Sequence, residues 1–176
     1  MRGPAPQSGG VVPALVEEEV RERTAPGFYL RSGPSGFVLH VNASAQSLAL
    51  VRELAAEVLV AAGAEGAAVD VVQLVVSELV GNAVRACGAR APLVVGVEVR
   101  PATVSVKVHD PDPDRLPRLA TPAEGDDTAE SGRGLLLVEN LALAWGTRML
   151  PDGIGKTVWA NVALRSRTAT APGEGC

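Results

Sequence analysis

A chain of 176 residues with 47% hydrophobic and 20% charged side chains has the composition of one globular domain with a real core, which excludes a disordered polymer and a pair of large domains. Its net charge of −4 argues against a broad electrostatic grip on nucleic acid, so no direct nucleic-acid partner is expected. The two cysteines, Cys87 on an apolar segment and Cys176 at the last position, make no disulfide framework and read as a small buried hydrophobe and a tail thiol.

Residues 1–31 mix Pro, Gly and the patch Glu17-Glu18-Glu19, which predicts a mostly flexible extension with a short helix from Ala14 to Arg23. Pro and Gly stand where a signal peptide needs a basic start and an apolar core, and no uninterrupted apolar run reaches membrane-spanning length. A cytoplasmic chain without a membrane partner is therefore expected. Gly36 to Val41 alternates as a first strand. His40 within it reads as a packed or edge histidine, because no second ligand stands near it at metal-binding spacing. Ser44 is placed to cap a helix through Leu48, Val51, Leu54, Ala55, Val58 and Leu59, ending near Gly63.

The next segment, about Ala67 to Cys87, carries apolar residues at helical spacing and is stopped by Gly88. Glu78 and Asn82 interrupt its apolar character. Four residues apart, they project from one side of the helix on neighbouring turns, where a carboxylate and a carboxamide can reach the same ligand. Among Leu and Val such groups cost free energy unless something satisfies them, although an exposed stripe on an amphipathic helix is the plainer reading of a lone Glu and Asn.

Pro92 to Val99 and Thr103 to Val108 both alternate and read as a hairpin joined by Arg100-Pro101-Ala102. The second strand runs into His109-Asp110-Pro111-Asp112-Pro113-Asp114. Asp and Pro are ordinary turn residues, yet Asp110 ends an apolar strand and its carboxylate can accept from an amine in a cavity there. The loop Arg115 to Ser131 is too long for an ordinary connector and is a candidate lid. Gly132-Arg133-Gly134 then opens an apolar helix, Leu135 to Leu143, a pattern suited to an anion at a helix N-terminus. Two further strands, Trp145 to Met149 and Thr157 to Val162, are expected, joined by Pro151-Asp152-Gly153, and residues 165–176 read as a disordered tail.

Two motifs fail on inspection. A dinucleotide fingerprint at Gly132 would need glycine at Leu137 and a preceding strand. Gly153-Ile154-Gly155-Lys156-Thr157 ends like a P-loop, but Leu150 occupies the position of its first glycine and a strand follows instead of a helix. Thr157 is still able to face a ligand.

The order Ser77-Glu78-Leu79-Val80-Gly81-Asn82-Ala83, Asp110 at a strand end, a variable loop, Gly132-Arg133-Gly134-Leu135, then Lys156-Thr157 resembles the N box, G1 box, lid, G2 box and final strand of the GHKL ATPases. Within them the chain looks most like the small anti-sigma factor serine kinases and their actinobacterial relatives, over about residues 36 to 163. The resemblance implies an α+β Bergerat fold: a two-layer sandwich with a mixed, mainly antiparallel sheet and helices on one face, in a histidine-kinase-like ATP-binding domain spanning residues 32–164. It implies ATP and Mg²⁺ as cofactors, with Asn82 on the metal and Glu78 orienting or deprotonating the attacking hydroxyl. Asp110 would read adenine with support from Thr157. Arg85, Gly132, Arg133, Gly134 and Leu135 would complete the nucleotide contacts. The partners implied are a sigma factor and an anti-sigma antagonist, with a homodimer expected from the family. Asp112 and Asp114 depart from the family's glycines, and their carboxylates would repel phosphates if turned inward.

Overall fold

The computed structural model describes residues 21–118 and 130–164, with the side chains of residues 130–133 not included. Seven strands form one open sheet in the order β1-β2-β3-β4-β5-β7-β6: β1 (Arg21–Ala25), β2 (Phe28–Gly33), β3 (Gly36–Asn42), β4 (Pro92–Val99), β5 (Thr103–Asp110), β6 (Ala144–Met149) and β7 (Lys156–Ala163). Every pairing among the described strands is antiparallel, in keeping with the mainly antiparallel sheet expected. Three helices, α1 (Ala45–Ala61), α2 (Gly66–Cys87) and α3 (Glu130–Leu141), pack together, α1 against β3 and β4, α2 against β5 and β7, α3 against β6. The result is an α+β fold of the GHKL type.

The start of the chain differs from the reading of its composition. Arg21 to Arg31, expected to belong to an extension, form β1 and most of β2, while Ala14–Val20 of the expected short helix lies outside the described residues. All five residues of β1 are exposed, so no apolar alternation marks it, and its backbone bonds come from pairing with β2.

The helices follow their local signals closely. Ser44 caps α1, its side chain accepting from the Ser47 amide at 3.0 Å. The buried residues of α2, Val72, Val75, Val76, Leu79, Val80 and Ala83, repeat at three- and four-residue steps and meet the sheet's Val104, Val106, Val108 and Val158 in one core. At 22 residues α2 is long and apolar enough on average to cross a membrane, although Asp70, Gln73, Glu78, Asn82 and Arg85 interrupt its apolar run, as the sequence predicts. Its most apolar stripe is committed to the sheet.

On β5 and β7 the residues facing the helices are Val104, Val106, Val108, Asp110 and Lys156, Val158, Ala160, Val162, all buried. The antiparallel register ends on the pair Asp110 opposite Lys156. A carboxylate and an ammonium thus close the core at this end of the sheet, beneath the last turns of α2.

Candidate nucleotide site

Asp110 and Lys156 are the most enclosed charges among the described residues, 1% and 2% exposed, and a charge can be held there only if paired and hydrogen-bonded. Lys156 Nζ donates to Asp110 Oδ1 at 2.8 Å and to the Asp112 carbonyl. The same carboxylate oxygen accepts from the Asp112 amide at 3.0 Å and from the Cys87 thiol at 3.3 Å. Cys87, expected as a small buried hydrophobe, is half-buried with its thiol aimed at Asp110. Burial, then the hydrogen bond to Asp110, push the thiol up to about 11, because a thiolate there would lose water and face a carboxylate.

The strand-end loop folds back on itself. Asp112 Oδ1 accepts from the amides of Asp114 at 2.9 Å and Arg115 at 3.1 Å, and these bonds, Arg115 first, hold its carboxyl below the usual range. Asp112 therefore turns toward its own loop, the arrangement in which it does not confront a bound phosphate. Arg115 Nη1 donates to the Ala86 carbonyl at 2.8 Å, tying the loop to α2.

Between α2, the ends of β5 and β7, and this loop lies a cleft of about 210 Å³, whose wall includes Asn82, Arg85, Asp110, Arg115, Arg118 and Lys156. Lys156 and Asp110 are paired with each other, which leaves Arg85, Arg115 and Arg118 as positive charges in the wall. The lining is rich in donors, which suits an anion with many acceptor oxygens. Asn82 adds to this. Its Oδ1 accepts from Arg85 Nη2 at 2.7 Å, while its buried Nδ2 has no partner, the one such side-chain atom found among the described residues. A buried amide without an acceptor is costly, and an acceptor on a ligand in the cleft would relieve it.

The cleft thus brings Asn82, Arg85 and Asp110 together, and other candidates fall elsewhere. Glu78 is half-buried one turn back on α2 and lies against α3, where a β-carbon on Gly134 would come within 1.8 Å of its Oε2. Leu135 is fully buried, so its side chain packs in the core rather than touching a ligand. The helix expected from Leu135 begins at Glu130, which places Gly132, Arg133 and Gly134 inside its first turns. Gly134 is its fifth residue, past the four amides a helix start leaves free. The Arg133 side chain lies outside the described residues, as do residues 119–129 of the expected lid and the tail at 165–176. Thr157 requires a correction: strand alternation turns it to the other face of the sheet, where its Oγ1 is 3.4 Å from His109 Nδ1. Lys156, one residue earlier, stands beside Asp110 instead. The sequence held the signal, because Lys156 is in phase with the buried Val158, Ala160 and Val162.

An ion at Asn82 would have to use its Oδ1, the atom Arg85 now holds, and no group of three His, Cys, Asp or Glu side chains able to hold a metal occurs among the described residues. Arg85 is exposed and free to swing away, and Mg²⁺ commonly takes only one or two protein oxygens beside phosphates. The residues present fit the phosphates directly, and fit Mg²⁺ once Arg85 has moved.

A two-layer α+β fold with a donor-lined cleft at the end of its central helix defines a class of nucleotide-binding domain. The model of the histidine kinase-like ATPase domain matches residues 41–160, and the chain belongs to that family. The match takes in α1 to α3 and β4 to β6, and leaves β1, β2 and most of β3 before it. No curated protein matches the chain.

Proposed function

We propose that the chain is an ATP-binding regulator that, with Mg²⁺, transfers a phosphoryl group to a serine or threonine hydroxyl of an anti-sigma antagonist and itself sequesters a sigma factor. The observation that carries the nucleotide reading is the unpartnered Asn82 amide in the wall of a cleft that also carries Arg85, Arg115 and Arg118. Support for the regulatory role is the resemblance in motif order to the anti-sigma factor kinases. In the transfer, the hydroxyl oxygen bonds to the terminal phosphorus, the bond from that phosphorus to the bridging oxygen breaks, and the hydroxyl proton passes to Glu78. Arg85, Arg115 and Arg118 neutralise phosphate charge, Asn82 orients it, and Asp110 accepts from the base. Glu78 lies one turn back from Asn82 on α2, against Gly134, and on this reading it moves toward the partner's hydroxyl to take the proton.

A second reading is a non-catalytic interaction module, favoured by one observation: Asp110 and Asn82 Oδ1 already have partners within the chain, Lys156 and Arg85. Incubation with terminally labelled ATP, Mg²⁺ and a candidate antagonist separates the two. Label on the antagonist, lost in Glu78→Ala, supports transfer. Saturable ATP binding without label on any candidate supports the module, and absence of binding at millimolar ATP defeats the nucleotide reading.

A further inference from the structure

The Lys156 ammonium carries three hydrogens. Two are engaged, by Asp110 Oδ1 at 2.8 Å and by the Asp112 carbonyl, and no third acceptor meets it among the described residues. Its side chain, 2% exposed, cannot rotate into water to satisfy the remainder, yet it forms part of the cleft wall. Register places it directly across from Asp110, both facing the helix layer. The wall therefore presents a fixed donor and a fixed acceptor side by side. That is the complement of the adenine edge, on which an amine donor adjoins a ring-nitrogen acceptor.

We propose that Lys156 is a base-reading residue, its third hydrogen donated to ring nitrogen N1 of adenine while Asp110 accepts from the neighbouring amine. This rests on the nucleotide reading above and adds a specificity determinant to it. The bonds to Asp110 and the Asp112 carbonyl pre-aim the ammonium, so little side-chain entropy remains to be lost on binding. The rival account makes Lys156 only a counter-ion that holds the strand ends together. The two differ in what they predict for N1, because a counter-ion is indifferent to the base.

The test is calorimetric titration of the full chain, in Mg²⁺, with ATP and with 1-deaza-ATP, in which N1 is replaced by C–H. The expected result is binding of 1-deaza-ATP about tenfold or more weaker, the loss that follows when a charged donor faces no acceptor. Lys156→Met should weaken ATP to the level of 1-deaza-ATP and abolish the difference between them. Equal affinity of the unaltered chain for both nucleotides overturns this proposal and leaves ATP binding standing. Binding of neither overturns the nucleotide reading and this proposal with it. If Lys156→Met does not fold, the comparison of the two nucleotides on the unaltered chain decides alone.

Discussion

Glu78 of α2 rests against the backbone of Gly134 in α3, so close that a β-carbon at residue 134 would fall 1.8 Å from its Oε2 and 2.7 Å from its Cδ. No other residue type leaves that carboxylate where it is. Since the obstructed atoms are the far end of a flexible side chain, Gly134→Ala should displace Glu78 rather than unfold the helix. Its stability should stay within about 1 kcal/mol of the parent, the lost contact being offset by alanine's helix preference. Phosphoryl transfer to the antagonist should fall as far as in Glu78→Ala, with ATP affinity retained. Parent-level transfer in Gly134→Ala, measured with labelled ATP, would separate Glu78 from the chemistry.

The buried pair of Asp110 and Lys156 makes a prediction about stability alone. Removing one partner strands the other charge in a site with almost no water. Lys156→Ala should therefore cost about 3–5 kcal/mol, and replacing both residues by Leu and Met should recover much of it. Urea unfolding of the two variants measures the difference. Additive losses in the double variant would show that the charges do not depend on one another.

Arg85 Nη2 holds, at 2.7 Å, the Asn82 oxygen that a metal would have to use. In Arg85→Ala, nucleotide affinity in EDTA should drop about tenfold as a phosphate-facing cation is lost, while the gain on adding Mg²⁺ should increase because Oδ1 is free. Titrations of parent and variant with and without Mg²⁺ test this. An unchanged Mg²⁺ effect would mean that the ion, if bound, does not use Asn82.

Cys87 sets a behaviour at alkaline pH. Its thiol is raised from 9.0 to about 11 by burial and by its bond to Asp110, so the folded chain holds the proton more tightly than the unfolded one. The stabilisation is complete below about pH 9 and is lost as pH rises through about 11. Cys87→Ser keeps a donor to Asp110 without titrating in that range, and its stability should decline less between those values. Denaturant midpoints from pH 8 to 11 check this, and parallel curves would count against the assignment.

Much of the fold was legible in local pattern. The 3.6-residue spacing of Val72, Val76, Leu79 and Ala83, the cap at Ser44, the stop at Gly88 and the alternation of β4 and β5 each depend on neighbours in sequence, and each appears close to its expected bounds. The motif order led to the family that the match over residues 41–160 establishes. β1 escaped because five exposed residues carry no periodic burial, so only pairing with β2 makes them a strand.

At the site, what residues were present and what they face came from different levels. The chain by itself put Asn82, Arg85 and Asp110 at the ends of predictable elements and set Lys156 beside Thr157. Tertiary structure alone decided that Lys156 meets Asp110 while Thr157 turns away, that Arg85 holds the Asn82 oxygen, and that Cys87 points at the same carboxylate. Local sequence specifies a backbone period. The register that sets Lys156 opposite Asp110, 46 residues earlier in the chain, and the packing of a helix end over them, are set by how the whole core closes.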